Sequence, residues 1–209
     1  MIVSLLSISL IGAYLIGSIP FAYVYSKVIK KIDIRHYGSG NIGATNTLRV
    51  LGPRAGFIVL TLDILKGFIP VRLVMLFLAT SQITGTLDWL PVLIGIFSIL
   101  GHSFTIFLSF KGGKGVATSA GVFIALCPVA FMGAIFIFCL IVAISKYVSL
   151  GSILASITIL IANIINNGIN MYIKGFTIVV VGFIIYTHKE NIKRLINKTE
   201  NKISFQKRR

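Results

Sequence analysis

The stretch VATSAGVFIALCPVAFMGAIFIFCLIVAIS, residues 116–145, decides how the chain folds. It is nearly all apolar and, as one helix of about 30 residues, would measure roughly 45 Å. That is too long for one upright membrane crossing and too short for two full ones, since about 20 residues make a span. Pro128, beside Cys127 near the centre, lacks a backbone donor and breaks the helix there. The pattern therefore predicts two short helices, 116–126 and 129–145, which leave Lys114 and Lys146 on the same side.

Toward the N-terminus, apolar runs at 2–25, 55–79 and 90–110 each approach spanning length. The first has no basic leader and no Ala-x-Ala site, so it reads as a span and not as a signal peptide. Beyond the central pair, 147–165 and 176–187 follow, the latter extended back to residue 171. The expected fold is all-α: a polytopic integral membrane helical bundle of seven transmembrane helices, two of them short. No internal repeat or low-complexity linker divides residues 1–209, so a single membrane-embedded domain is expected.

Composition agrees. Of the 209 residues, 56% are hydrophobic and only 12% charged, and the mean hydropathy is +0.96. Soluble domains carry roughly 25% charged residues, so a soluble globular protein and a disordered one are both excluded. The net charge of +15 would suggest nucleic acid in a soluble chain, but here basic residues flank spans, and no nucleic-acid partner is expected. The two cysteines, Cys127 and Cys139, share one apolar run and read as packing residues.

Charge also sets the orientation. Seven crossings with the N-terminus outside and the C-terminus cytoplasmic put 17 of the 20 basic residues on the inner side, as the positive-inside rule requires. A single crossing at 116–145 would send Lys146 and the basic tail outside.

The polar inventory then falls on one face. In DIRHYGSGNIGATNTLR, residues 33–49, Gly38, Gly40 and Gly43 stand among Ser39, Asn41, Thr45, Asn46 and Thr47, between Arg35 and Arg49. The Gly-x-Gly-x-x-Gly spacing has no strand before it, so a dinucleotide fold is rejected. What remains is a backbone able to turn N–H groups toward an anion, with Ser39 and Arg49 beside it. A second segment, FKGGKGVAT at 110–118, resembles a Walker A loop only in outline, because Leu108 replaces the first glycine and Gly115 the hydroxyl residue. It is a basic loop opening a helix at Val116, where the dipole favours phosphate and Lys111 and Lys114 add charge. A third, KYVSLGS at 146–152, supplies hydroxyls at a helix start. A fourth, HKENIKRL at 188–195, puts His188 and Asn191 on one helical face.

Asp63 and Lys66, at i, i+3 inside a span, are expected to pair, because charges at membrane depth face the interior and find partners. His102 is expected to orient a neighbour, and Glu200 to pair with a nearby Lys or Arg. Acidic groups are too few for Mg²⁺-dependent phosphatidyl transfer, so neither metal nor cofactor is expected. Five residues after His36, His102 and His188 stand Asn41, Phe107 and Lys193, which excludes the His-x-x-x-x-Asp acyltransferases. No Gly-x-Ser-x-Gly elbow is present either.

Taken together, GSGNIGATN (38–46), FKGGKGVAT (110–118) and HKENIKRL (188–195) resemble the bacterial membrane acyl-phosphate:glycerol-3-phosphate acyltransferase family, in order and with similar spacing. The resemblance implies a seven-helix enzyme of the bacterial inner membrane with its active site facing the cytoplasm. It would move a fatty acyl group from acyl phosphate to the 1-hydroxyl of sn-glycerol 3-phosphate, giving 1-acyl-sn-glycerol 3-phosphate. By this resemblance Ser39, Arg49, His188 and Asn191 are the catalytic set. Lys114 with Gly112, Gly113 and Gly115 forms the glycerol-phosphate loop, Asn41 joins the phosphate contacts, and Ser149 or Ser152 matches a substrate-binding serine. Glu200, Asp63 and Lys66 are structural. The implied partners are the two substrates, membrane lipids and the soluble enzyme that makes acyl phosphate. Thr105 stands where the family commonly has Pro, and Lys198 where it commonly has Gly. The rival reading, an organic-anion transporter, would favour inverted repeats, and none is visible.

Overall fold

The computed structural model describes residues 2–81 and 87–203, with side chains from residue 6 onward. The described residues are all-helical, and they fall into two compact units, Met1–Leu126 and Cys127–Arg209.

The first unit contains α1 (Ile2–Ser18), α2 (Phe21–Lys30), α3 (Ala44–Leu51), α4 (Pro53–Thr80), α5 (Leu90–Ser103) and α6 (Val116–Leu126). Its helices approach closely because glycine lies at the contacts. A Cβ at Gly17 would overlap the Ser98 backbone, and one at Gly101 the Tyr14 carbonyl, which locks α1 to α5. Gly67 against the Thr118 carbonyl and Gly121 against that of Ile64 do the same for α4 and α6. Small residues at the seam are how helices associate where lipid offers no hydrophobic drive.

The expected first span at 2–25 is not one continuous helix: it breaks at Ile19–Pro20, and α1 and α2 meet at a 43° bend. Pro20 has no N–H to continue the ladder. The carbonyls in the gap find other donors. Ser18 O accepts the Thr105 hydroxyl at 2.5 Å, and Ile19 O accepts Lys66 Nζ at 2.9 Å.

The second unit contains α7 (Pro128–Ser145), α8 (Val148–Ile165), α9 (Met171–Thr187) and α10 (Lys189–Ile196). The break that Pro128 predicts is present, with the proline at the first position of α7, where its missing donor costs nothing. Asn163, fully buried in α8, donates to Thr177 Oγ1 of α9 at 3.0 Å, an interhelical bond in an otherwise apolar seam. Most of α7 is exposed apolar surface: Val129, Met132, Phe136 and Ile144 face outward as lipid-facing side chains would.

By length and composition, three helices among the described residues can cross a membrane, or up to five if each bent pair, α1–α2 and α9–α10, is one span. The charged α4 and the 11-residue α6 do not meet that criterion.

Candidate active site

In the first unit, the segment between α2 and α4 is organised by a side chain that sequence reasoning did not single out. Asn46, buried in α3, accepts the Ser39 N–H at 2.8 Å through Oδ1. Its Nδ2 donates to Tyr37 O at 3.0 Å. One amide thus closes the Gly38–Gly40 turn, whose two glycines have φ of +62° and +70°. A Cβ on Gly38 would overlap Asn46 Oδ1, so Gly is required there on both counts. The Ser39 side chain is exposed, and Arg49, also on α3, is half-buried. Asp33 and Arg35 form a two-pronged pair, Nε to Oδ1 at 3.0 Å and Nη2 to Oδ2 at 2.7 Å. Arg35 beside it holds the Asp33 carboxyl far below the usual carboxylate range.

The loop at 111–115 is built differently from its expected form. Gly112 N–H donates to Ser103 O at 3.0 Å and Gly113 N–H to His102 O at 3.1 Å. Both N–H groups are thus spent on the end of α5. Glycine is needed because a Cβ at Gly112 would overlap the His102 carbonyl. Gly115, at φ +81°, turns the chain into α6, and Lys114 is half-buried beside it. The N–H groups of the first turn of α6 have no intrahelical acceptor by geometry, which leaves that helix end suited to an anion.

Asp63 and Lys66 pair at 2.8 Å, both side chains buried. His102 brings Nδ1 to 3.7 Å from the same Asp63 oxygen.

In the second unit, Ser149, Asn191 and Glu200 come together. Glu200 Oε1 accepts Ser149 Oγ at 3.0 Å and Asn191 Nδ2 at 2.8 Å, while Oε2 accepts Arg194 Nε at 2.7 Å. Burial pushes the Glu200 carboxyl up, but the bonds from Arg194, Asn191 and Ser149 outweigh it and hold it below its ordinary value. Ser152 is elsewhere engaged, its hydroxyl bonded to Val148 O one turn back at 2.9 Å. His188, buried at the α9–α10 bend, sets Nδ1 2.8 Å from Ile184 O. A carbonyl only accepts, so Nδ1 is the donor in this bond.

Of the expected site residues, Ser39, Asn41, Arg49, Asp63, Lys66 and the 112–115 loop belong to the first unit. Ser149, Ser152, His188, Asn191 and Glu200 belong to the second. Sequence reasoning missed Asn46 and the Asp33–Arg35 pair. Asp33 and Arg35 carried a visible signal, opposite charges two apart in a turn.

Helices long and apolar enough to cross a membrane place the chain among polytopic membrane proteins. The glycerol-3-phosphate acyltransferase family model matches residues 7–198, and the chain belongs to that family. The glycerol-3-phosphate acyltransferase of Bacillus cytotoxicus is 46% identical over 199 residues, covering 95% of this chain and 96% of the relative. That of Bacillus subtilis is 42% identical over 201 residues, covering 96% and 99%. The crystal structure of PlsY (YgiH), an integral membrane glycerol 3-phosphate acyltransferase, in its glycerol 3-phosphate form, has a TM-score of 0.87 to this chain at 39% identity. It covers 95% of this chain and 96% of the other. The lysophosphatidic acid form of the same protein gives a TM-score of 0.85 at 38% identity, with 96% of each covered. The chain is thus an acyltransferase, a multi-pass membrane protein of lipid biosynthesis.

Proposed function

We propose that this enzyme transfers a fatty acyl group from acyl phosphate to the 1-hydroxyl of sn-glycerol 3-phosphate, forming 1-acyl-sn-glycerol 3-phosphate, in the first committed step of phospholipid synthesis. The observation that carries the reading is the 111–115 loop. It is pinned by its own backbone to α5, presents Lys114, and ends at the N-terminus of α6. Such a seat suits a phosphate distant from the bond being made. The glycerol 3-phosphate named for the related structure supports the choice of acceptor.

An acyl phosphate is already activated, so no acyl-enzyme is needed and the task is to hold two substrates in register. Lys114 with the first turn of α6 takes the glycerol phosphate; Arg49, with Ser39 and Asn41, takes the phosphate of the donor. The 1-hydroxyl oxygen bonds to the acyl carbon, the carbon–oxygen bond to phosphate breaks, and inorganic phosphate leaves with the hydroxyl proton. By the family resemblance, His188 with Asn191 positions that hydroxyl. Ser149 is the substrate serine of the pair, because it shares Glu200 with Asn191 whereas Ser152 is bonded within its own helix. Metal and cofactor take no part.

The enzyme lies in the bacterial inner membrane with seven crossings and its site facing the cytoplasm, where a soluble enzyme supplies the acyl phosphate. Residues 1–209 act as one domain, a reading supported by a family match that runs through both units. Cysteines introduced at Ser81 and Thr199 should be labelled from opposite sides of intact cells. Equal labelling from outside overturns the topology.

The deciding assay is purified protein with acyl phosphate and labelled glycerol 3-phosphate, followed by lipid extraction. Product from acyl phosphate is expected; product only from another acyl donor overturns the reading. His188→Gln should retain appreciable turnover, well above the 10²–10⁴-fold loss, roughly, that follows removal of a general base. Loss of that full size with binding intact would make His188 the base.

A further inference from the structure

The imidazole of His102 sits between two groups that sequence reasoning never joined. Its Nδ1 edge faces Asp63 at 3.7 Å. Its Nε2 edge faces the Cα of Gly113, so closely that a Cβ there would overlap Nε2. The backbone of the same residue accepts the Gly113 N–H at 3.1 Å, and the next carbonyl, Ser103, accepts Gly112 at 3.0 Å. Ring and main chain of one buried residue therefore form the surface on which the glycines of the Lys114 loop rest.

Behind the ring, Lys66 holds Asp63 at 2.8 Å, all three side chains being buried. A buried ion pair is costly, and apolar residues of the same size would pack as well or better. An apolar pair, however, cannot orient an imidazole. Asp63 can, because its carboxylate attracts the Nδ1 edge and so turns Nε2 toward the loop.

We propose that His102 is a positioning residue for the Lys114 loop: its ring and carbonyl seat Gly112 and Gly113, and the Asp63–Lys66 pair fixes the ring's direction. The inference rests on the reading that Lys114 binds the phosphate of glycerol 3-phosphate. On this reading Asp63 and His102 act through the loop, and so on affinity for that substrate and not on the acyl transfer itself.

The test is steady-state kinetics in membranes, with glycerol 3-phosphate varied at saturating acyl phosphate. His102→Asn should raise KM about tenfold while kcat stays within about threefold, a split that simple loss of folded protein does not produce. Asp63→Asn should raise KM too, yet add little in the double variant, because both substitutions act through one ring. Gly113→Ala should show the same rise with His102 intact, and it serves where His102→Asn fails to accumulate. An unchanged KM in either His102→Asn or Gly113→Ala overturns the proposal, as does full additivity of Asp63→Asn with His102→Asn. Lys114→Ala separates the two levels. If it raises KM and His102→Asn does not, the seating alone is wrong; if it leaves KM unchanged, the phosphate reading falls and takes the seating with it.

Discussion

The 111–115 loop and the cluster around Glu200 hold polar groups in place in a mostly apolar chain by opposite means. The loop is fixed by main-chain bonds, Gly112 and Gly113 donating to Ser103 O and His102 O. The cluster is fixed by side chains, with Ser149, Asn191 and Arg194 converging on one carboxylate. The seating of Gly112 and Gly113 therefore depends on shape, because its bonds are main-chain bonds and an added Cβ collides with His102. The cluster depends on charge, because removing one negative group releases three donors at once. Steric substitutions should damage the first region, and charge-neutralising substitutions or acid conditions the second.

The comparison breaks first at Gly112. Gly112→Ala would put a Cβ into the His102 carbonyl, so the loop must lift. A displacement near 1 Å costs about 10²-fold, and kcat/KM measured in membranes should fall by at least that much. Near-normal activity would show that the loop tolerates bulk and that main-chain seating is not its design.

Next in size is Glu200→Gln. The amide keeps the shape but offers Arg194 no charge and turns a donor toward Ser149 or Asn191. A loss of about 2 kcal/mol, the scale of hydrogen bonds to charged groups, should appear as a lower Tm of the detergent-solubilised enzyme. An unchanged Tm would mean that the cluster is held by packing.

A pH series sharpens the same point. Glu200 titrates below its ordinary 4.5 in the fold, so its contribution is fully present above that pH and is lost as pH falls through the lower folded value. The Tm of the wild type should drop steeply on the acid side, and Glu200→Gln should flatten that limb. Parallel limbs for the two proteins would place the acid sensitivity elsewhere.

The smallest effect expected is a gain. Lys198 has φ +59°, in the left-handed region where a side chain costs about 1 kcal/mol or more and glycine nothing. Lys198→Gly should therefore raise stability by about 1 kcal/mol with kcat unchanged. A fall in Tm would show that the lysine side chain contributes more than its backbone conformation costs.

Much of this was legible from residues alone. The Pro128 break, the Asp63–Lys66 pair and the glycine segments each follow from a local rule, namely a missing donor, an i, i+3 spacing or a turn composition. Other features depend on partners distant in sequence. The helix α3 lies in the run ATNTLRVL, whose Thr and Asn residues favour turns; it forms because Leu48 packs against Gly56 of α4. The split at Pro20 was hidden because apolar residues continue through it and only the hydrogen bonding changes. No spacing rule shows that Asn46 closes the Gly38–Gly40 turn or that Ser149 and not Ser152 reaches Glu200, since the partners lie 7 and 51 residues away.

The bend between α1 and α2 also sets a timetable for biosynthesis. Ile19 O already accepts the Phe21 N–H at 3.1 Å within the bend, but Ser18 O takes its donor from Thr105, which the ribosome adds long after the bend itself has been made. A peptide carbonyl without a donor is not tolerated in hydrocarbon. The newborn first helix must therefore keep this bend in contact with water, or with the insertion machinery, until the segment after α5 arrives. A chain arrested before residue 105 should leave the bend accessible to a water-borne label at position 18, and one released after it should bury it.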